Sequence, residues 1–479
     1  MRKIAKILLL AFCLSFFCSC GAQTEKEESF DLDFGSSENG NSIDLSGAEL
    51  DFAVIIDQLT NMSIEGNILG YTQDTLFAEQ ARNRIAEVEK ELNCAIVLDN
   101  KATANNFNLE SAAGSSYCDI IMCNSNDTQK WAKTGFLTGF STLSEFIDFK
   151  DSDKWGKPNL LEVSFYVDDV YGVIPALWPE LSYVSFGYPL VANVDLINSL
   201  GVSDPREYVD DKTWNWDRFK EELVKCTVDL GTETVYGMAT TYPYMSQMFL
   251  RSNGVTFAQQ GEDGSVICGF YTEPGMRALE YINEIYNGEY AYCCFKYGHE
   301  NATISMENFV NGFGCYTFTP AHCIFGVSGD ISTYMENYAV LPTPYGPDVE
   351  PGYNGGLYHS QYYFVSIPKL SDLNDAAAIA VNAIFEPFEG LETFEDIKDF
   401  MARNYFFDRR DADWFFEMRN NAVLNYDYQT GFASRKIPEE ICVGNTTVTE
   451  LLEKYKDQMN SIIEETVAPM LSVYDVIWN

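Results

Sequence analysis

The sequence predicts an α/β protein built on parallel sheets, and two features carry that expectation. Short, almost wholly apolar segments alternate with longer segments of helical periodicity, and one long stretch, Tyr171 to Gly237, runs extended and apolar before entering a new helix. The first three apolar segments are Leu50 to Asp57 (LDFAVIID), CAIVLD at 94–99 and CDIIMC at 118–123. Between the first two, Leu76, Phe77, Ala81, Ile85, Val88 and Leu92 fall at the three-and-four spacing of one helical face within Asp74 to Leu92. Strands that are apolar along their whole length are buried on both faces, which is how a parallel sheet covered by helices reads. No glycine-rich turn follows the first strand, so a dinucleotide site is excluded there.

The Tyr171–Gly237 stretch opens with an apolar run punctuated by Pro175 and Pro179, passes through SYVSFGYPLVAN and ends in an amphipathic helix. Trp216, Phe219, Leu223 and Cys226 line one face of that helix. Asn215 is its expected cap, Asp217 sits in its first turn, and Trp214 is placed to staple onto Phe219, so these aromatics read as core. Beyond it, Thr234 to Thr240 reads as a strand, Tyr242 to Asn253 as a helix, and Glu273 to Tyr286 as a helix with Pro274 in its first turn. Phe309 to Phe318 and Tyr338 to Pro342 read as strands and Asp375 to Phe385 as a helix; residues 391–479 are expected to be helical.

The order "YGVIP … VSFGYPLVANVDLINSLGV … TWNWDRFKEEL … VYG" resembles the extracellular solute-binding proteins of ABC importers, the maltose-binding-like lipoprotein group. WAKTGFLTGFSTLSEF (131–146), FVNGFGCYTF (309–318), YAVLP followed by TPYGP, and GGLYHSQYYFVSI follow the same family's order, with Ala192 standing where the family usually has a tyrosine. The resemblance implies a type II periplasmic-binding-protein fold, two discontinuous lobes joined by a hinge. It implies residues 49–187 and 318–390 in lobe 1 and 188–317 and 391–479 in lobe 2, with crossovers near 184–193 and at the Phe309–Phe318 strand. Its function would be capture of a small solute by a monomer that delivers it to a permease.

The N-terminus reads as an export signal over residues 1–19: Arg2, Lys3 and Lys6 precede an apolar run, Ile7 to Phe17, too short to span a bilayer comfortably. Phe17-Cys18-Ser19-Cys20-Gly21 resembles a bacterial lipobox, with Phe17 where leucine is commonest, and makes Cys20 the expected lipidation site; a plain cleaved signal and a short anchor are the alternatives. Residues 20–48 then form an acidic, Ser/Gly/Asn-rich tether expected to be disordered, with a reach on the order of 30 Å. The whole chain carries 31 basic and 71 acidic residues, a net −40, and loss of the three leader cations leaves 28 against 71, a net −43. Such a charge repels phosphate backbones and excludes nucleic acid as a partner; a neutral or cationic ligand is favoured. Of thirteen cysteines, ten lie beyond Cys20, an even number that permits disulfides in an oxidising compartment without specifying any.

Catalytic constellations are missing from the sequence. His299, His322 and His359 have no metal-binding spacing, the Cys293/Cys294/Cys315/Cys323 set lacks a CxxC pair, and neither a G-x-S-x-G elbow nor a P-loop occurs. No metal or cofactor is expected, and a glycan hydrolase, which needs only two placed carboxylates, is the alternative from another class; a sensory binding module feeding a membrane kinase is another. A sugar cleft wants flat aromatic faces with amides and carboxylates beside them. The candidates are Trp178, Glu180 and Tyr183 before the crossover, Tyr242 and Tyr244 after a strand, Tyr316 and Phe318 on the next, and Tyr353, Asn354 and Tyr358 flanking Gly355-Gly356. Asn124 and Gln58 join them at strand carboxyl ends, where open α/β sheets place ligands. The Pro-Ala-Leu-Trp-Pro loop makes Trp178 the leading candidate; Tyr183 could equally pack the hinge, and Trp414 reads as helix packing.

Overall fold

The structure, a computed structural model, describes residues 43–55, 67–71, 73, 75–167, 169–179, 187–231, 234–287, 302–325, 330–358, 363–427, 429–444 and 446–471. Two separate main sheets organise it. In the first, β1 (Ala48–Val54) lies between β2 (Cys94–Asp99) and β3 (Ile120–Asn124), both parallel to it, with Leu50 opposite Ile96 and Phe52 opposite Ile120. Helix α1 (Leu76–Leu92) connects β1 to β2, buries Phe77, Ala81, Ile85 and Val88 as its spacing requires, and is capped by the Thr75 side chain. Helix α2 (Ala104–Ala113) follows β2, and α3 (Ser125–Thr134) starts directly at the end of β3.

The second sheet has the order β8-β4-β7-β6-β5. Its strands are β4 (Leu190–Asn193), β5 (Val228–Asp229), β6 (Thr234–Met238), β7 (Gly314–Phe318) and β8 (Tyr338–Leu341). Helix α4 (Trp216–Cys226) packs beneath it with Phe219, Leu223 and Cys226 fully buried. Asn215 caps α4 at 3.0 Å from the Arg218 N–H, and Trp214 meets the Phe219 ring edge-on at 5.5 Å, the expected staple. Helices α5 (Tyr242–Ser252) and α6 (Glu273–Asn287) complete this lobe's core, where Trp216 stacks on Tyr281 at 4.2 Å.

One expectation needs correction. The chain does not return to the first sheet at Phe318, because β8 pairs antiparallel with β4, Val340 opposite Val191, so residues 338–341 belong to the second sheet. Strand β4 runs against both neighbours, and without β8 its outer ladder would be left open. The return comes after Leu341: β9 (Gly356–Tyr358) forms a two-stranded sheet with β11 (Ala422–Leu424), and β10 (Tyr363–Ser366) then runs antiparallel to β3. The outgoing chain enters the same zone. Val173 exchanges backbone hydrogen bonds with Val365 at 3.0 and 2.8 Å. At Gly187 a β-carbon would stand 2.5 Å from the Leu357 carbonyl oxygen, so only glycine lets these chains pass so closely.

Helix α7 (Asn374–Ile384) covers α1 of the first lobe. The C-terminal helices α8 (Phe394–Asn404), α9 (Arg409–Asn420), α10 (Ala433–Val443) and α11 (Val448–Ile462) follow, with α9 on β8 and α10 on α5 and α6. A buried ion pair fastens α9: Arg206 donates to both oxygens of Asp411 at 2.8 and 2.9 Å and to the Tyr338 carbonyl at 3.1 Å. Asp411 also accepts from the Val340 N–H. Removing one partner leaves a buried charge alone, so Asp411→Ala is expected to destabilise the fold by about 3–5 kcal/mol. Urea unfolding checks this, with Asp204→Ala, whose carboxylate reaches solvent beside Arg206, expected to cost under about 1 kcal/mol.

Candidate functional site

Parallel strands offer ligands their carboxyl ends. In the first sheet these are Val54, Asp99 and Asn124; in the second, Met238 and Phe318 lead into Thr240–Tyr244 and Thr319–Phe325. Tyr244, on the first turn of α5, stacks on Tyr188 just ahead of β4, ring centres 4.2 Å apart and planes 14° from parallel. Tyr188 is buried while Tyr244 keeps a partly open face.

Behind this aromatic pair lies a polar network centred on Asp427, which is fully buried. Its carboxylate is paired with Arg435 and accepts from the Ser434 hydroxyl. The amides of Asn425 and Gln247 reach it at 3.0 and 3.4 Å, and Asn425 also donates to Gln247 at 2.7 Å. Arg435 in turn donates to the Tyr188 hydroxyl at 3.3 Å. The first lobe joins through Glu162, whose carboxylate accepts from the Tyr426 hydroxyl at 2.6 Å. Loss of water pushes the Glu162 carboxyl up to about 7, against the pull of the Tyr426 hydrogen bond. Tyr426 and Phe432 both hold positive φ, 56° and 63°, and Phe432 is exposed with the Arg435 guanidinium 5.1 Å from its ring. Two non-glycine residues in that region within one loop mark stored backbone strain, a frequent companion of ligand sites.

The sequence-derived candidates are distributed differently. Trp178 is fully buried in the first lobe, its ring against Tyr71, Phe385 and Phe388 and its N–H on the Glu386 carbonyl at 3.1 Å; it offers no face to a ligand. Phe318 and Tyr316 are likewise core residues of the second lobe, Phe318 meeting Phe249 edge-on. Tyr242 is buried against Tyr286, and Tyr358 is buried in β9. Asn124 spends its side chain capping α3, accepting from the Asp127 N–H at 2.9 Å. Tyr353 and Asn354 come together in a pocket elsewhere on the second lobe, away from Tyr244. Of the described candidates, only Tyr244 lies at the aromatic pair. Glu180, Tyr183, Gln58 and Cys20 lie outside the described residues, as do His299, His359, Cys293 and Cys294. Tyr188, Gln247, Asn425, Asp427 and Arg435 were not singled out from the sequence. The one available signal was the turn-rich NYDYQTGFASRK run, whose Asp and Arg stand eight residues apart.

Among the described residues no group of three His, Cys, Asp or Glu side chains could hold a metal ion, and no helix is long and apolar enough to cross a membrane. Among the described residues, Cys94, Cys118, Cys226, Cys268 and Cys315 form no disulfide. No family model matches the chain, and no curated protein matches it by sequence. Solved structures do match. A sugar transporter protein from Rhizobium etli, in an open conformation, aligns over 87% of this chain and 100% of its own with a TM-score of 0.62 and 14% identity. The sugar-binding protein MalE from Xanthomonas citri aligns over 87% and 98%, with a TM-score of 0.60 and 12% identity. An ABC substrate-binding protein from Listeria monocytogenes, in complex with cycloalternan, aligns over 87% and 99%, with a TM-score of 0.57 and 15% identity. This is the fold of the ABC solute-binding proteins. Its type II arrangement accounts for the two sheets, each assembled from discontinuous parts of the chain.

The Glu162 carboxyl gives this region a pH signature. Its folded pKa of about 7 lies above the ordinary 4.5, so the folded state holds a proton that the unfolded state has lost between those values. The resulting stabilisation is complete below about pH 4.5 and disappears as pH rises through 7. Relative to Glu162→Gln, which keeps an acceptor for Tyr426, the wild type should lose on the order of 3 kcal/mol between pH 4 and pH 8. Urea midpoints of the two proteins across that range test it; parallel pH profiles would contradict the assignment.

Proposed function

We propose that this protein captures a carbohydrate between its two lobes and delivers it to an ABC permease, without chemical turnover. The reading adds that Cys20 carries a lipid anchor and that the folded part works outside the cell membrane, at the end of the 20–48 tether. The observation that carries it is the meeting, beside the chain crossings of this fold, of the Tyr188–Tyr244 pair with Arg435. A flat aromatic face packs against the C–H face of a sugar ring, while the Arg435 guanidinium, part of which stays exposed, supplies hydrogen bonds to hydroxyls. The net charge of −40 disfavours an anionic solute, and the three neighbours named above include two described as sugar proteins and one in complex with cycloalternan. Closure then follows from population shift: a solute touching both lobes binds the closed form better than the open form and draws the equilibrium towards it.

Isothermal titration against a panel of neutral oligosaccharides, with peptides, polyamines and divalent metals as controls, tests the reading. At least one saccharide is expected to bind unchanged and be recovered intact. Tyr244→Ala and Arg435→Lys are each expected to weaken it tenfold or more, about 1.4 kcal/mol. Binding confined to peptides, polyamines or metals would overturn the carbohydrate assignment, and hydrolysis of the saccharide would favour the hydrolase alternative.

A further inference from the structure

A pocket of about 190 Å³ opens on the second lobe between the loop before α4, the chain that leaves β8, and α9. Tyr188, Tyr244, Asp427 and Arg435 take no part in its lining. Two of its lining residues carry buried polar atoms without a partner: the Asn354 Oδ1 and the Thr343 Oγ1, on residues only 3% exposed. The Asn354 amide is fixed from its other side, where its nitrogen donates to the Trp414 carbonyl at 2.9 Å and to Glu417 at 3.1 Å. Its oxygen is therefore held as an acceptor. A buried polar atom left unpaired is costly, and it calls for a partner from outside the protein, such as a water, an ion or a ligand.

We propose that this pocket is a second binding site, for a single small neutral polyol such as one sugar ring. Its volume is below the roughly 300 Å³ of pockets that take drug-sized ligands, so it has room for one ring. Trp414 and Tyr353 line it with aromatic surface, on which a ring can lay its C–H face. Lys212 lines it with a cation and Glu417 with an anion. An anionic guest would meet Glu417 and a cationic one Lys212. A hydroxyl both donates and accepts, so a polyol suits the Asn354 acceptor, the Thr343 hydroxyl, the ammonium and the carboxylate together. The site stands independently of what the seam between the lobes binds.

The test uses full-length protein labelled with 5-fluorotryptophan, with the Trp414 resonance assigned through Trp414→Phe. Glucose, galactose and inositol are titrated to tens of millimolar, with choline and acetate as charged controls. A saturable shift of the Trp414 resonance by at least one neutral polyol is expected. It should weaken tenfold or more in Thr343→Val, which preserves side-chain shape, and persist in Arg435→Lys. Three results would overturn the proposal: no saturable shift with any polyol, saturation by choline or acetate alone, or a shift that disappears with Arg435→Lys, which would return the effect to the seam. Loss of oligosaccharide binding at the seam, with this shift retained, would count against the proposed transport function only.

Discussion

The neutralisation of Asp427 is the constraint on which the junction between the lobes depends. An ionised carboxylate withdrawn from water is tolerated only when charge and hydrogen bonds replace its hydration. Here the replacements come from α5 through Gln247, from the loop after β11 through Asn425, and from α10 through Ser434 and Arg435. These elements are far apart in sequence, Gln247 and Asp427 by 180 residues. Satisfying one carboxylate therefore fixes where α5, β11 and α10 stand relative to one another. Because Arg435 also reaches Tyr188, the chain crossing towards β4 is held by the same group of atoms. The strained Tyr426 and Phe432 backbones persist because this packing over-determines the loop.

The two sheets explain why such a junction exists. Each is completed by strands that arrive late: β10 closes the first by pairing with β3, and β7 and β8 cover both edges of β4 in the second. The chain must therefore travel between lobes more than once, and the crossings gather around β9, β11 and Gly187. Few chains crossing at one place, with a polar network beside them, is the arrangement in which two rigid bodies can change angle without disturbing either core. The aromatic packing within each lobe is separate: Trp178 with Tyr71 and Phe388 in one, Trp216 with Tyr281 and Phe249 in the other.

Much of the local structure was legible because it is written in short-range periodicity. The helix Trp216–Cys226, its Asn215 cap and its Trp214 staple all follow from residues within one or two turns of each other. The allegiance of β8 was not legible, since an apolar strand such as YAVL carries no mark of the sheet it will join. The Trp178 loop looked like a ligand platform because its partners, Tyr71, Phe385 and Phe388, are all over a hundred residues away and nothing near it shows its burial. For Asp427 the difficulty was contrast: one carboxylate among 71 acidic residues is distinguished only by its surroundings. Tyr353 and Asn354, neighbours in sequence, line a pocket of the second lobe rather than the crossings. Gly355 and Gly356 mark a close approach there, to the Tyr353 ring and to the Met418 carbonyl.

The central claim is that the lobes close on a bound solute. Small-angle X-ray scattering of the protein without ligand, and then saturated with the tightest-binding saccharide, measures it directly. A smaller radius of gyration on saturation, absent in Tyr244→Ala under the same conditions, is the expected result. Saturation with no change in radius, or consumption of the saccharide during the measurement, would contradict it.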